Sequence, residues 1–384
     1  MSRAPVYLDH NASAPLLDEA REALLATLSL PGNPSSVHGH GRALKSRIET
    51  ARDQVAQLAG AQAGQVVFTG SATEAITQAI VGGVKALPID AVVVSAGEHA
   101  AVLKAAESCG KPVTTLGLTA DGVIDLDVLT GLVQQASAEN KVLLVALHAV
   151  NNETGVFQPL GRIGALVGPT PHYLFIDAVQ ALGKTDLGFA VSAADMMAIS
   201  GHKIGAPAGI GALLMKGHAD QVRLIPGGGQ ELGRRGGTEA AGLIAAFGAA
   251  ATAFSLAYEA AGVAELVART EAGLLAMAPE AVIFGQSAAR IGNVCNFAVP
   301  GLSNATAMMS LDLLGLSVSA GSACSSGKVG ASAVLKAMGV APELAQGALR
   351  VSYGWNSTTD DVERFLDGMN SVLVRHRARH GRAA

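Results

Sequence analysis

The sequence predicts an α/β protein: a mainly parallel sheet covered by helices on both faces, followed by a smaller α+β domain. Three observations predict this. Helical and strand patterns alternate from about residue 42 onward. The strand segments are continuously apolar, which calls for cover on both faces. The texture then changes after an alanine-rich stretch that ends near residue 256. The chain has 384 residues, 49% of them hydrophobic and 15% charged, which suits two domains around an extensive core. Aromatic residues make up only 4%, so that core is expected to be built from Ala, Val, Leu and Ile.

Leu44, Ile48, Ala51, Val55 and Leu58 recur at spacings of four and three, marking an amphipathic helix. Val66 to Thr69 reads as a short strand. Further strands are expected at Ala91–Ser95, Val113–Leu118, Val142–Val150, Tyr173–Ile176, Ala194–Ser200 and Gly209–Lys216, with helical segments such as Asp125–Ala136 between most of them. Ala240 to Tyr258 carries no charge and is long enough to raise the question of a membrane span. Its alanines, interrupted by Gly242, Gly248, Thr252 and Ser255, favour a buried helix. Asn293 to Val299 alternates like a half-buried strand, and Ala345 to Tyr353 reads as a helix end followed by a strand. The large domain is expected at 15–255, and the small one at 1–14 together with 256–384. The tail Arg375-His376-Arg377-Ala378-Arg379-His380 is basic and is expected to be a solvated terminus.

A formal net charge of -4 gives no reason to expect nucleic acid or an anionic membrane as a partner. The first residues lack the long apolar core of a signal peptide. Cys109, Cys295 and Cys324 are too few and too scattered for a disulfide framework or a zinc site, so no metal is expected and the compartment is expected to be cytoplasmic.

The chemistry concentrates where two buried strands end. Asp177-Ala178-Val179-Gln180 follows one strand and Ser200-Gly201-His202-Lys203 follows the next. An aspartate at one strand end and a lysine at a nearby turn are what pyridoxal phosphate (PLP) requires: an amine for its aldehyde and a carboxylate for its ring nitrogen. Phe68 to Glu74 passes from strand through a Gly-Ser turn into a helix, which fits a phosphate site or an ordinary capped helix start. Gly227-Gly228-Gly229-Gln230-Glu231, leading to Arg235-Gly236-Gly237-Thr238, offers a second Gly-rich loop. Gly183-Lys184-Thr185 is not a P-loop, because Ala178 stands where its first glycine belongs. Ser200-x-x-Lys203 lacks the companion motifs of a penicillin-binding site.

Cys295 lies in an alternating strand and is expected to be a packed thiol, as is Cys109 at a helix end. Cys324 sits in Ser319-Ala320-Gly321-Ser322-Ala323-Cys324-Ser325-Ser326-Gly327, a small-residue run suited to an exposed nucleophile. Arg350, between Leu349 and Val351, could be a structural ion-pair residue or the fork for a substrate carboxylate.

These segments together resemble the class I cysteine desulfurases of the NifS/IscS kind. The resemblance runs nearly end to end: Tyr7-Leu8-Asp9-His10-Asn11-Ala12, Asn33-Pro34-Ser35-Ser36, Ala72-Thr73-Glu74, Glu98-His99, Asn151-Asn152-Glu153-Thr154-Gly155, Asp177 to Gln180, Ser200 to Lys203, Arg235 to Thr238, Ser322-Ala323-Cys324 and Arg350. It implies a fold-type I PLP enzyme with a sheet of the seven-stranded type. It also implies a homodimer, L-cysteine as substrate, and an iron–sulfur scaffold or other sulfur acceptor as partner.

The resemblance assigns roles at matching positions. Lys203 holds the cofactor and shuttles protons, Asp177 pairs with the ring nitrogen, and Gln180 bonds the phenolic oxygen. His99 stacks on the ring. Thr73, next to Ala72, holds the phosphate together with Ser200, His202 and, from the other subunit, Thr238. Asn33, Asn152 and Arg350 take the substrate carboxylate, with Asn152 also beside the cofactor, and Cys324 accepts the sulfur. The same residues leave a selenocysteine lyase, a PLP aminotransferase and a catalytically silent scaffold subunit as rival readings.

Overall fold

The computed structural model describes residues 4–320 and 332–380. The chain opens with β1 (Val6–Tyr7), α1 (Asp18–Leu28) and α2 (Gly39–Leu58). The four-and-three spacing is realised in α2, where Leu44, Ile48, Ala51 and Val55 are buried. His38 caps it, its ring accepting the N–H of Gly41. Next come β2 (Val66–Thr69), α3 (Ala72–Thr77), α4 (Gly83–Ala86), β3 (Ala91–Ser95), α5 (Ala100–Ser108) and β4 (Val113–Leu116). They lead to α6 (Leu126–Ala138), β5 (Leu143–His148), α7 (Leu160–Val167), β6 (Tyr173–Asp177), β7 (Met196–Ser200) and β8 (Gly211–Met215).

These strands form one seven-stranded sheet in the order β2-β8-β7-β6-β5-β3-β4. β3 to β7 pair in parallel, and β8 runs antiparallel to both β2 and β7. The reversal has a local cause. Only residues 201–210 separate β7 from β8, and a parallel crossover needs a dozen residues or more.

Successive side chains of each strand enter opposite layers, as the period of two requires. Val93, Val145, Leu147, Leu174, Ile176, Met197 and Ile199 join a cluster with α1, α2, α6, α7 and the long helix α8 (Ala241–Ala260). Val92, Val94, Leu144, Ala146, Phe175, Met196 and Ala198 join the other, beneath α3, α4 and α5. This two-sided burial is why the strands read as continuously apolar. β4, an edge strand, departs from that pattern: Val113, Thr114 and Thr115 are exposed, whereas the opposite edge, β2, is buried throughout. Among the described residues, α8 is the helix long and apolar enough to cross a membrane. It packs along α1 and α2, burying Ile244, Phe247, Ala250 and Phe254.

The remaining chain runs through α9 (Val263–Met277), β9 (Val282–Ile283), β10 (Val294–Ala298), α10 (Asn304–Leu313), β11 (Leu316–Ser317), α11 (Ala333–Ala337), α12 (Pro342–Ala345), β12 (Leu349–Ser352) and α13 (Thr359–His380). β12, β10 and β9 form an antiparallel sheet, and β1 pairs with β11. Val6 and Leu8 share a second core with Phe297, Val351, Phe365 and Met369. The expectation that β10 is half-buried is corrected here. All five of its residues are buried, because both faces are covered: Cys295 and Phe297 enter one core, and Val294 and Ala298 pack on the other side. Asn296 fills one of the polar positions, and neither of its side-chain polar atoms has a partner among the described residues. Cys295 is fully buried, and burial pushes its thiol well above the usual range, so it is an inert packing group.

Candidate active site

The parallel strands β5, β6 and β7 end side by side, and their carboxyl ends open into a cavity of about 450 Å³. Ligands of open α/β sheets sit at such ends. The lining includes His148 from the end of β5, Asp177 and Gln180 from the end of β6, and Ser200, His202 and Lys203 from the end of β7. Ser71, Ala72 and Thr73 enter from the start of α3, and His99 from the N-cap of α5, where its ring accepts the N–H of Ala101. Asn152 and Arg350 complete the set of expected residues found in the lining.

Gly211 lets two elements close on this space. A Cβ there would lie 2.7 Å from the backbone of Ser71 and 2.8 Å from that of Ala72. Glu74 then ties the same turn to the Gly-rich loop. Its carboxylate accepts the N–H of Gly70 at 2.8 Å and pairs with Arg235 at 2.8 Å. A second pair, this one buried, joins Arg52 to Glu231 at 2.7 Å and anchors that loop, where Glu231 and Leu232 hold positive φ.

Asp177 is buried, and burial raises its carboxyl above the usual range. The N–H of Val179, which donates to Oδ1 at 3.0 Å, works against that rise, as do His99 and His148, while Glu98 adds to it. Lys203 Nζ donates to the carbonyls of Asn11 and Ala12 at 2.6 and 2.8 Å. His202 is lowered to about 4, by burial first and then by Lys203 and Lys184, and its Nδ1 lies 3.3 Å from Ser13 Oγ. His148 shares a proton with Glu98 at 2.7 Å, and its Nε2 receives an N–H of Gln158. The Gln158 carbonyl is taken by Ile124 N, which fixes that amide's orientation.

Arg350 is 1% exposed. Nη2 pairs with Asp9 Oδ1 at 2.7 Å and Nη1 donates to the Asn152 carbonyl at 3.0 Å. Its Nε is buried with no partner among the described residues. Arg350 is thus an ion-pair residue that also lines the cavity.

Two expected residues lie elsewhere. Asn33 is exposed, its Oδ1 accepts the N–H of Ser35, and it is not in the lining; Thr238 is exposed on the Gly-rich loop. Cys324 lies outside the described residues. The sequence reading missed Gly97 and His148 in the lining, had Ser71 only within the Phe68–Glu74 turn, and gave Asn11 and Ala12 only as part of a resemblance. His148 had a findable signal, because it ends an apolar strand, as Asp177 does.

The family described as Aminotransferase class-V matches residues 6–365. A cysteine desulfurase of Trichormus azollae is 37% identical over 380 residues, covering 97% of this chain and 94% of its own. A NifS-like protein from Rickettsia africae superposes with a TM-score of 0.86 at 28% identity, over 96% of this chain and 99% of that one. SspA in complex with cysteine superposes with a TM-score of 0.78 at 30% identity, over 91% of this chain and 98% of that one.

Proposed function

This chain belongs to the aminotransferase class-V family, and from that premise we propose that it works as a homodimer that passes sulfur to an iron–sulfur scaffold or another acceptor protein. The chain is a PLP-dependent cysteine desulfurase, acting on L-cysteine. The further reading is that sulfur leaves the substrate for the Cys324 thiol as a persulfide, with L-alanine released.

The residues present fit PLP. When bound, it supplies an aldehyde that condenses with an amine and a ring that takes up electrons from the substrate Cα. A carboxylate as buried as Asp177 is costly without a cation beside it, and a protonated ring nitrogen provides one. Lys203 would hold the cofactor, and its Nζ would carry the substrate Cα proton. The Asn11 and Ala12 carbonyls suit its ammonium form, since both are acceptors at hydrogen-bond distance.

His99 would lie against the ring of the cofactor, and Gln180 would donate to its phenolic oxygen. Thr73, Ser200 and His202 hold the phosphate, joined by Thr238 of the partner subunit. Arg350 and Asn152 take the substrate carboxylate, for which the unpartnered Nε of Arg350 is a buried donor. The chain is read as a large domain at 15–255 and a small one at 1–14 with 256–384, a reading supported by the separate hydrophobic cores of the two parts.

One observation carries the reading: a buried aspartate and a lysine amine face one cavity at adjacent strand ends. The test is to supply PLP and L-cysteine to the pure protein and measure alanine. Cys324→Ser should bind PLP yet release almost no alanine, because a hydroxyl does not take sulfur at neutral pH. Alanine near the wild-type rate would remove Cys324 from the reaction.

A further inference from the structure

Lys184 follows Gln180 by four residues, in the turn after β6. It is not in the cavity lining, yet it is wired to it. Its Nζ donates to Gln180 Oε1 at 3.1 Å, and Gln180 Nε2 donates to the Asn11 carbonyl at 2.9 Å. That same carbonyl accepts Lys203 Nζ at 2.6 Å. Two lysine amines are therefore joined through one amide and one carbonyl. An amide offers one acceptor and two N–H donors. With Oε1 held by Lys184 and one N–H held by Asn11, the second N–H is the group Gln180 has for an acceptor in the cavity.

We propose that Lys184 is a positioning residue of this site, fixing the Gln180 amide so that its N–H end faces the bound cofactor. The inference rests on the PLP reading above. The alternative orientation would set Gln180 Oε1 against the Asn11 carbonyl and an N–H against the Lys184 ammonium, two repulsive contacts in a buried place.

The charge on Lys184 sets when this hold is strongest. Burial, then Lys203, then Arg350 lower its amine to about 7. His10 and His202 feel its charge in turn. Arg350 carries its own partner, Asp9. On the other side, Lys184 shares an outer cleft with Asp186, Tyr258, Glu259 and Glu265. Below about pH 7 Lys184 holds Gln180 by a charge-assisted bond, and above it by a neutral one.

The experiment titrates full-length wild type, Lys184→Met and Lys184→Arg with PLP at about pH 6 and about pH 8.5. It reads the dissociation constant and the visible absorbance maximum, with the melting temperature of each unloaded protein alongside. At the lower pH, Lys184→Met should raise the constant about tenfold, the loss of one hydrogen bond to a charged group. It should also displace the absorbance maximum, while Lys184→Arg stays near wild type. At the higher pH the gap between wild type and Lys184→Met should narrow. Where Lys184→Met does not fold, Lys184→Ala carries the same expectation.

A Met or Ala variant that matches wild type in constant and spectrum at about pH 6 overturns the proposal. So does an Arg variant as loose as Met, since that would mark a role in packing alone. A wild type that takes up no PLP overturns the cofactor reading itself, which is a separate result.

Discussion

Lys203, Asp177 and His148 stand at the ends of three neighbouring strands of one sheet, whereas Arg350 reaches the same cavity held by Asp9, 341 residues away in the chain. The strand-end residues are aimed by the ladder: the backbone at β5, β6 and β7 is already fixed by pairing, with His148 opposite Asp177. The other side is assembled from single bonds. Asn11 N donates to Ser352 Oγ, Asn293 Nδ2 donates to Asn11 Oδ1, and Arg350 bridges Asp9 and Asn152. A ladder tolerates the loss of one side chain, but a strap held by side chains does not. Substitutions on the first side should thus strike chemistry and spare the fold, while those on the second should strike both.

The largest separation of the two effects is expected at Lys203. Lys203→Ala should abolish turnover, while its urea midpoint stays close to that of wild type, because the strand ladder does not depend on the amine. Borohydride reduction of loaded wild type followed by peptide mapping should label Lys203, and label on another lysine would break the comparison at its first step.

Arg350→Ala should act on both quantities. The Michaelis constant for L-cysteine should rise roughly tenfold or more with the loss of a charge-assisted contact. Stability should fall as well, since the Asp9 carboxylate loses its ion-pair partner. Its side chain keeps 20% exposure, so the loss belongs toward the lower end of the about 3–5 kcal/mol typical of broken buried pairs. A raised constant with unchanged stability would place Arg350 with the strand-end residues instead.

What could be read in the sequence follows the same division. The four-and-three spacing in α2, the continuously apolar strands and the residues that cap them are local signals, and Asp177 and Lys203 emerged from them. The pairing of Arg350 with Asp9 has no local signal, because it depends on β1 and β12 being drawn to one edge of the site. The burial of β10 was misread because its alternation of residue types suggests one open face, whereas packing from both sides covers it. Lys184 was weighed only as part of a P-loop, since its bond to Gln180 is visible only once the turn after β6 is folded.

A pH series probes both sides together. Burial first, then Lys184, lowers His10 from 6.5 to about 3, and His202 is lowered to about 4. Each imidazole is neutral in the folded protein where the unfolded chain would bind a proton. Their contribution to stability is therefore full above about pH 6.5 and is lost as pH falls through the window down to those values. By about pH 5 the His10 contribution lost should be on the order of 2 kcal/mol, and that of His202, nearer to solvent, less. Asp177 and Glu153, whose carboxyls burial raises, act in the opposite direction at the acid end. The measurement is accordingly a difference: the urea midpoint of unloaded His10→Asn should vary less between about pH 7.5 and about pH 5 than that of wild type. Equal slopes would show that His10 is not held neutral.

The smallest expected effect is at Ser352, and it tests the strap most narrowly. Ser352 is fully buried in β12, and its Oγ accepts the N–H of Asn11 at 2.9 Å. Its backbone is held separately, its N–H donating to Leu8 O and its carbonyl accepting the N–H of His10. Ser352→Ala keeps those two bonds and strands only the Asn11 N–H, a buried donor left without an acceptor, at a cost of about 1–2 kcal/mol in urea unfolding. Asn11 also presents the carbonyl that receives Lys203 and Gln180. A looser strap should therefore weaken PLP binding slightly while leaving the absorbance maximum in place, since Lys184 still fixes the Gln180 amide. A stability loss with unaltered PLP affinity would mean that the strand ends hold the cofactor without help from the strap.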